Sequence, residues 1–134
     1  MNVSRPHADL LLIPLLAYCA ASLLHFAHNA IYLEAYPNLP ASFSSARVIL
    51  AWLAVTAIGL LGYLLMRAGW QLTGLLVVGM YALIGFDGLA HYAVAPLSAH
   101  TPMMNLTIWV EVLAAAVLLI AAARRLAALR QLSQ

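Results

Sequence analysis

Residues 48–66, VILAWLAVTAIGLLGYLLM, run for 19 positions without an Asp, Glu, Lys, Arg or His. About 18 apolar residues in a row suffice to cross the hydrocarbon core of a bilayer as a helix. The flanks set the ends of this one: Ser44 and Ser45 offer N-cap hydroxyls before it, and Arg67 follows it.

The rest of the chain extends the same pattern. Its 134 residues are 66% hydrophobic and only 7% charged, with no lysine, and the mean hydropathy is +0.97. A soluble domain of this size has no interior large enough for that much apolar surface, so the composition predicts an integral membrane protein. At about 20 residues per span, the length holds four spans and no separate soluble domain. The boundaries expected are 9–33, 46–66, 70–94 and 102–123, with a short basic tail over 124–134. Pro37 and Pro40 in EAYPNLPASFSS stop the first span. Arg67, Ala68 and Gly69 form a tight turn between the second and third. In APLSAHTPMMN, Thr101 and Pro102 occupy the cap and first turn of the last helix. Connections this short predict a single all-α domain, an up-down-up-down antiparallel bundle.

Arginine placement sets the expected orientation. Arg5, Arg67, Arg124, Arg125 and Arg130 fall on one side and Arg47 alone on the other, which predicts that both termini are cytoplasmic. The two longer loops then face outward, toward the periplasm if the membrane is a bacterial inner membrane. Apolar character in the first run continues through Ile31 and Leu33, past a signal-peptide core, so it reads as a true span. Tyr18 before the lone Cys19 argues against lipoprotein cleavage, and one cysteine makes no intrachain disulfide. A net charge of +2 gives no reason to expect nucleic acid. The halves show no internal repeat, which counts against a transporter built from two related units.

The ionisable residues fall at one depth. His25 lies eight residues before the outer end of the first span, Asp87 seven before that of the third, and Glu111 nine after Pro102. At about 1.5 Å per residue these positions are roughly 10–14 Å inside the outer boundary. His25, His28, Asn29 and Tyr32 share an arc of the first span, extended inward by Tyr18 and Ser22. Asp87 and His91, four residues apart, are neighbours on the third. Glu111 shares its face with Met104, Thr107, Ala114 and Ala115, whose small members let helices approach closely. On the second span Trp52, Thr56, Gly59 and Tyr63 read as a packing face.

A carboxylate near mid-membrane costs about 2.5–3.5 kcal/mol on insertion scales. Two of them among histidines call for a common partner: one another, water in an outward-opening cavity, or a metal ion. Histidine with carboxylate on rigid helices is a ligand set for zinc, copper or non-haem iron. The leading expectation is a copper or zinc site with His25, Asp87 and His91 at its core, completed or tuned by His28, His100 and Glu111, and supported by Asn29 and Tyr32. Glu111 is also the candidate general base toward a metal-bound water. His7, on the opposite side, is given no role. The plainer counterpart is that each buried His or acid is polar glue hydrogen-bonded across helices. Two other functions compete: a metal-free protonatable pocket that binds or transports a small amphipathic ligand, and an accessory subunit of a larger membrane complex. Partners expected beside the lipid bilayer are a small-molecule or lipid ligand, a second copy, or such a complex. Residue types alone do not choose between catalysis, metal delivery and sensing.

The Asp-x3-His of DGLAHYAVAPLSAH, followed by a second His, resembles the intramembrane copper-ligand motif in the C subunit of particulate methane and ammonia monooxygenases. The resemblance covers some fourteen residues and implies a metal held by Asp87, His91 and His100. This chain departs from that pattern in a shorter second spacing, which runs through a proline-containing loop, and that subunit is longer with more spans. Small multidrug transporters and membrane di-iron hydroxylases fit worse, the first by the placement of their acidic residues, the second by their larger set of histidine boxes.

Overall fold

A computed structural model describes the backbone of residues 5–132 and the side chains of residues 11–131. His7 and Arg5, and the outermost residues of the expected domain, lie outside the described side chains. Helices are the main regular structure of the described residues, which include no strand: α1 (Arg5–Ile31), α2 (Ser45–Arg67), α3 (Gln71–Ile84), α4 (His91–Val94) and α5 (Pro102–Leu132). Short 3₁₀ turns cover Leu33–Ala35, Gly85–Ala90 and Leu97–Ala99. Four helical stretches are long and apolar enough to cross a membrane, namely Leu11–Ile31, Ser45–Arg67, Gln71–Val94 and Pro102–Gln131.

The helix ends follow from local chemistry. Ser44 caps α2 by accepting from the Arg47 amide at 3.3 Å, and Thr101 accepts from the Met104 amide at 3.3 Å at the start of α5. Gly69, at φ 96°, closes α2: its amide reaches the Met66 carbonyl at 3.1 Å and the next amide, Trp70, reaches Leu65 at 2.9 Å. This is the Schellman arrangement, in which a left-handed residue satisfies the last carbonyls and turns the chain within two residues.

The helices form a closed ring, α1 against α2 and α5, and α3 against the same two. Between α2 and α3 the seam is made of glycine. A Cβ at Gly74 would stand 2.7 Å from the Gly62 carbonyl oxygen, so the two backbones touch there, as small residues permit. Leu11, Leu15, Met66, Leu75 and Leu118 are buried in one half of the bundle, while the buried polar side chains Ser22, His25, His100, Thr107 and Glu111 occupy the remainder. Large apolar side chains such as Ile13, Leu50, Leu76 and Leu113 point outward and exposed, a surface compatible with lipid.

Two features differ from expectation. The third span is not one α-helix: the hydrogen-bonding pattern tightens to 3₁₀ over Gly85–Ala90. A Cβ at Gly85 would lie 2.6 Å from the Ala115 Cβ and 2.6 Å from the Tyr18 hydroxyl, so this segment packs backbone-close between α1 and α5. The last helix, α5, continues through Arg124, Arg125 and Arg130 to Leu132 instead of giving way to a tail near residue 123. Arginine is a good helix former and here charge alone does not end the helix.

Candidate functional site

The site is built on the buried face of α1. Tyr18, Ser22, His25 and Asn29 follow one another at spacings of four, three and four residues, so they line one side of the helix. Tyr18 and Ser22 are fully buried and His25 is 2% exposed. Opposite, α5 presents Thr107 and Glu111 four residues apart, and both are buried. The two helices meet in a buried hydrogen bond between His25 Nδ1 and Glu111 Oε2. Gly88, in the 3₁₀ segment, covers the pair: a Cβ there would rest 3.4 Å from both Glu111 Oε2 and His25 Cε1.

His91 follows that segment, its ring 5.3 Å from the His25 ring between centroids. Asn29 Nδ2 donates to His91 Nε2 at 3.4 Å. His100 folds back from its loop to 6% exposure, with its ring 6.1 Å from that of His91. Its Nδ1 donates to the Pro96 carbonyl at 3.1 Å. Asn105 fastens the same loop by donating to the Leu97 and His100 carbonyls at 3.2 and 3.4 Å. His25, His91, His100 and Glu111 are thus brought together as expected residues of one polar region.

The remaining expected residues are placed differently. His28 sits beside the cluster, bonded through Nδ1 to the Tyr36 hydroxyl at 2.9 Å, with its ring tilted 39° to that of Tyr32 at 4.7 Å between centroids. Tyr32 itself is exposed. Asp87 is exposed and, among the described residues, has no hydrogen-bond or ion-pair partner. Its one-turn relation to His91 assumed an α-helix; in the 3₁₀ segment residues three apart eclipse instead, which turns positions four apart away from each other.

Tyr36 is a site residue that the sequence reading missed. It is 5% exposed, and its ring lies 5.1 Å from His91 and 6.5 Å from His100. Burial pushes its hydroxyl up to about 12, with the Thr107 hydroxyl acting weakly the other way, so it stays a protonated donor through neutral pH. The signal available was an aromatic in a short loop bounded by prolines, which does not say which way the ring turns.

A cavity of about 430 Å³ opens beside the pair. At its polar end are His25, Asn29, His91 and Glu111, with Asp87 and Arg47 also on its boundary. The other walls are apolar, among them Phe26, Phe43, Val48, Val55 and Ile84. A mostly apolar concavity of this size with a few convergent polar groups is the usual form of a small-molecule site. Three buried polar atoms on its lining residues have no hydrogen-bond partner: Tyr18 Oη, His25 Nε2 and Asn29 Oδ1. Among the described residues, no three His, Cys, Asp or Glu side chains converge as a metal-binding group.

Fold and site together define a class: an all-helical chain with four potential membrane-spanning helices and a buried histidine–carboxylate pair facing an apolar cavity. No protein-family model matches the chain, and no curated protein or solved structure matches it. Function therefore rests on the chemistry of the site itself.

Proposed function

We propose that this is a four-span membrane protein whose cavity binds a small amphipathic ligand, with the apolar body against α2 and the polar group at the His25–Glu111 pair. One observation carries the reading: the cavity of about 430 Å³ joins a mainly apolar wall to buried polar atoms that have no partner within the chain. Leaving such atoms unpaired in a low-dielectric interior costs about 1–3 kcal/mol each, and a ligand that supplies their hydrogen bonds recovers it. The His25–Glu111 pair can hold or pass a proton toward that ligand, with His25 Nε2 as the transferring atom and Glu111 orienting the ring.

Native mass spectrometry of the full chain released from mild detergent tests this reading. Wild type is expected to carry a bound small-molecule mass that Val55→Trp, which fills the cavity, loses. Equal spectra from both proteins would sink it.

A second reading keeps a copper or zinc centre, and a specific pattern favours it. His25 and His100 each give Nδ1 to an acceptor, the Glu111 carboxylate and the Pro96 carbonyl, and each keeps a buried, unpartnered Nε2. That is how metal-ligating histidines are oriented by their outer partners. His91 lies between them, and ring rotation would be needed to converge the three. Elemental analysis after reconstitution with copper and zinc checks it: bound metal lost in a His25→Ala, His91→Ala variant supports the centre, and equally low metal in both proteins rejects it.

The proposed setting is a bacterial inner membrane, with the helices alternating in direction, both termini cytoplasmic and the cavity toward the periplasm. The arginine distribution supports it. In a Cys19→Ser background, Ser98→Cys is expected to react with an impermeant thiol reagent from the periplasmic side; reaction from the cytoplasmic side alone would reverse the orientation.

A further inference from the structure

The cavity's unpartnered atoms specify more than a generic ligand, on the reading above that it is a ligand site. His25 Nε2 and Asn29 Oδ1 lie on adjacent turns of α1, both buried and both without a partner. Asn29 Oδ1 is a carbonyl oxygen and only accepts, while the amide nitrogen of the same side chain gives one of its two N–H groups to His91 at 3.4 Å. His25 Nε2 donates when it carries a proton, whether Nδ1 then donates to Glu111 or accepts from it, and it accepts only when Nδ1 holds the single ring proton. With His25 Nε2 donating, a group that accepts from His25 and donates to Asn29 satisfies the two at once, and a hydroxyl does so with its single proton and a lone pair. A ketone or ester carbonyl would leave Asn29 Oδ1 unsatisfied.

Charge narrows the class further. The one guanidinium on the cavity boundary, Arg47, is exposed, and it donates to the Ser42 carbonyl at 2.6 Å, so no fixed cation reaches the inner end. An anionic head group would meet the Glu111 carboxylate there. An ammonium group has three donors and no lone pair, so it would leave a donating His25 Nε2 unmet. An uncharged head is the one that costs least to move out of water.

The walls indicate where the ligand comes from. Val48, Ala51 and Val55 of α2 line the cavity, and α2 is the least buried of the four spans. Ala51 both lines the cavity and is exposed, which makes the α2 side the expected way in from the bilayer.

We infer that the ligand is an uncharged lipid alcohol that enters from the bilayer past α2, its hydroxyl bridging His25 Nε2 and Asn29 Oδ1 and its hydrocarbon lying against Phe26, Val55 and Ile84.

The test uses the full chain in phosphatidylcholine vesicles with diazirine-bearing analogues of hexadecanol, hexadecanoic acid, hexadecylamine and hexadecane, mapping the crosslinks by mass spectrometry. The alcohol is expected to label cavity residues about tenfold more than the alkane, the worth of one net hydrogen bond, and more than the acid or the amine. Asn29→Leu and, separately, His25→Phe should bring the alcohol down to the alkane level, the first guarding against a folding defect in the second. Equal labelling of the cavity by all four probes, or preference for the acid or amine, overturns the alcohol assignment and leaves the ligand site standing. Labelling confined to the outer helix surface for every probe overturns both.

Discussion

Gly85 lies directly against Tyr18: a methyl group added at Gly85 would stand 2.6 Å from the Tyr18 hydroxyl and as close to the Ala115 Cβ. The 3₁₀ segment reaches α1 and α5 only because this position has no side chain. Gly85→Ala is therefore expected to destabilise the fold by about 1–3 kcal/mol, the usual cost of overpacking. Gly79 has nothing within 4 Å of an added Cβ, and Gly79→Ala should be neutral or slightly stabilising through helix propensity. Thermal unfolding in detergent of the two variants separates them, and equal melting temperatures would remove the packing argument.

The His25–Glu111 pair makes a non-additive prediction. Glu111→Leu leaves the buried His25 Nδ1 without its hydrogen-bond partner, which costs about 1–3 kcal/mol. Adding His25→Leu removes the stranded group as well, so the double variant should regain part of that loss. Denaturant titrations of the single and double variants measure the coupling; losses that simply add would mean that the two side chains do not act as a pair.

How the chain reaches this arrangement was partly legible in its residues. Four spans show because a bilayer demands about 20 apolar residues each and because Pro37, Pro40, Gly69 and Pro102 punctuate them. A fixed rise per residue puts His25, Asp87 and Glu111 at one depth, so the polar layer was legible, but depth alone did not say which of the two acids His25 would meet. The 3₁₀ break was not read: in GFDG the two glycines are compatible with a helix, and what tightens the segment is its close approach to Tyr18 and Ala115, a tertiary effect. Depth likewise said nothing about azimuth once the helix changed type, which is why Asp87 is exposed while His25 is not. The cavity has no sequence signature, because Val48, Ala51 and Val55 are ordinary lipid-span residues until the neighbouring helices leave space beside them.

Exposure makes Asp87 the counterpart of Glu111. With no partner among the described residues, Asp87→Asn should change stability by no more than about 0.5 kcal/mol, as surface substitutions do. A loss comparable to that of Glu111→Leu in the same unfolding assay would show that Asp87 belongs to the buried polar cluster.

Tyr36 links the loop to the site through a pH dependence. Its hydroxyl is raised from 10.0 to about 12 in the folded chain, chiefly by burial. The folded state therefore holds the proton more tightly than the unfolded one, so the contribution is fully present below pH 10 and is lost as pH rises through about 12. Stability of Tyr36→Phe should fall less over that interval than stability of wild type. The same variant also loses the hydrogen bond to His28 Nδ1, a cost of about 1 kcal/mol at neutral pH. Parallel alkaline melting curves for the two proteins would contradict the buried placement of the hydroxyl.

The most direct test of the site is nuclear magnetic resonance of the chain with ¹⁵N-labelled histidine in lipid bilayers, following the His25 Nε2 resonance, assigned by its absence in His25→Phe, as hexadecanol or hexadecane is added. A cavity ligand whose hydroxyl reaches His25 predicts that the resonance moves with hexadecanol and not with hexadecane. A His25 Nε2 signal that responds to neither, or equally to both, would contradict it.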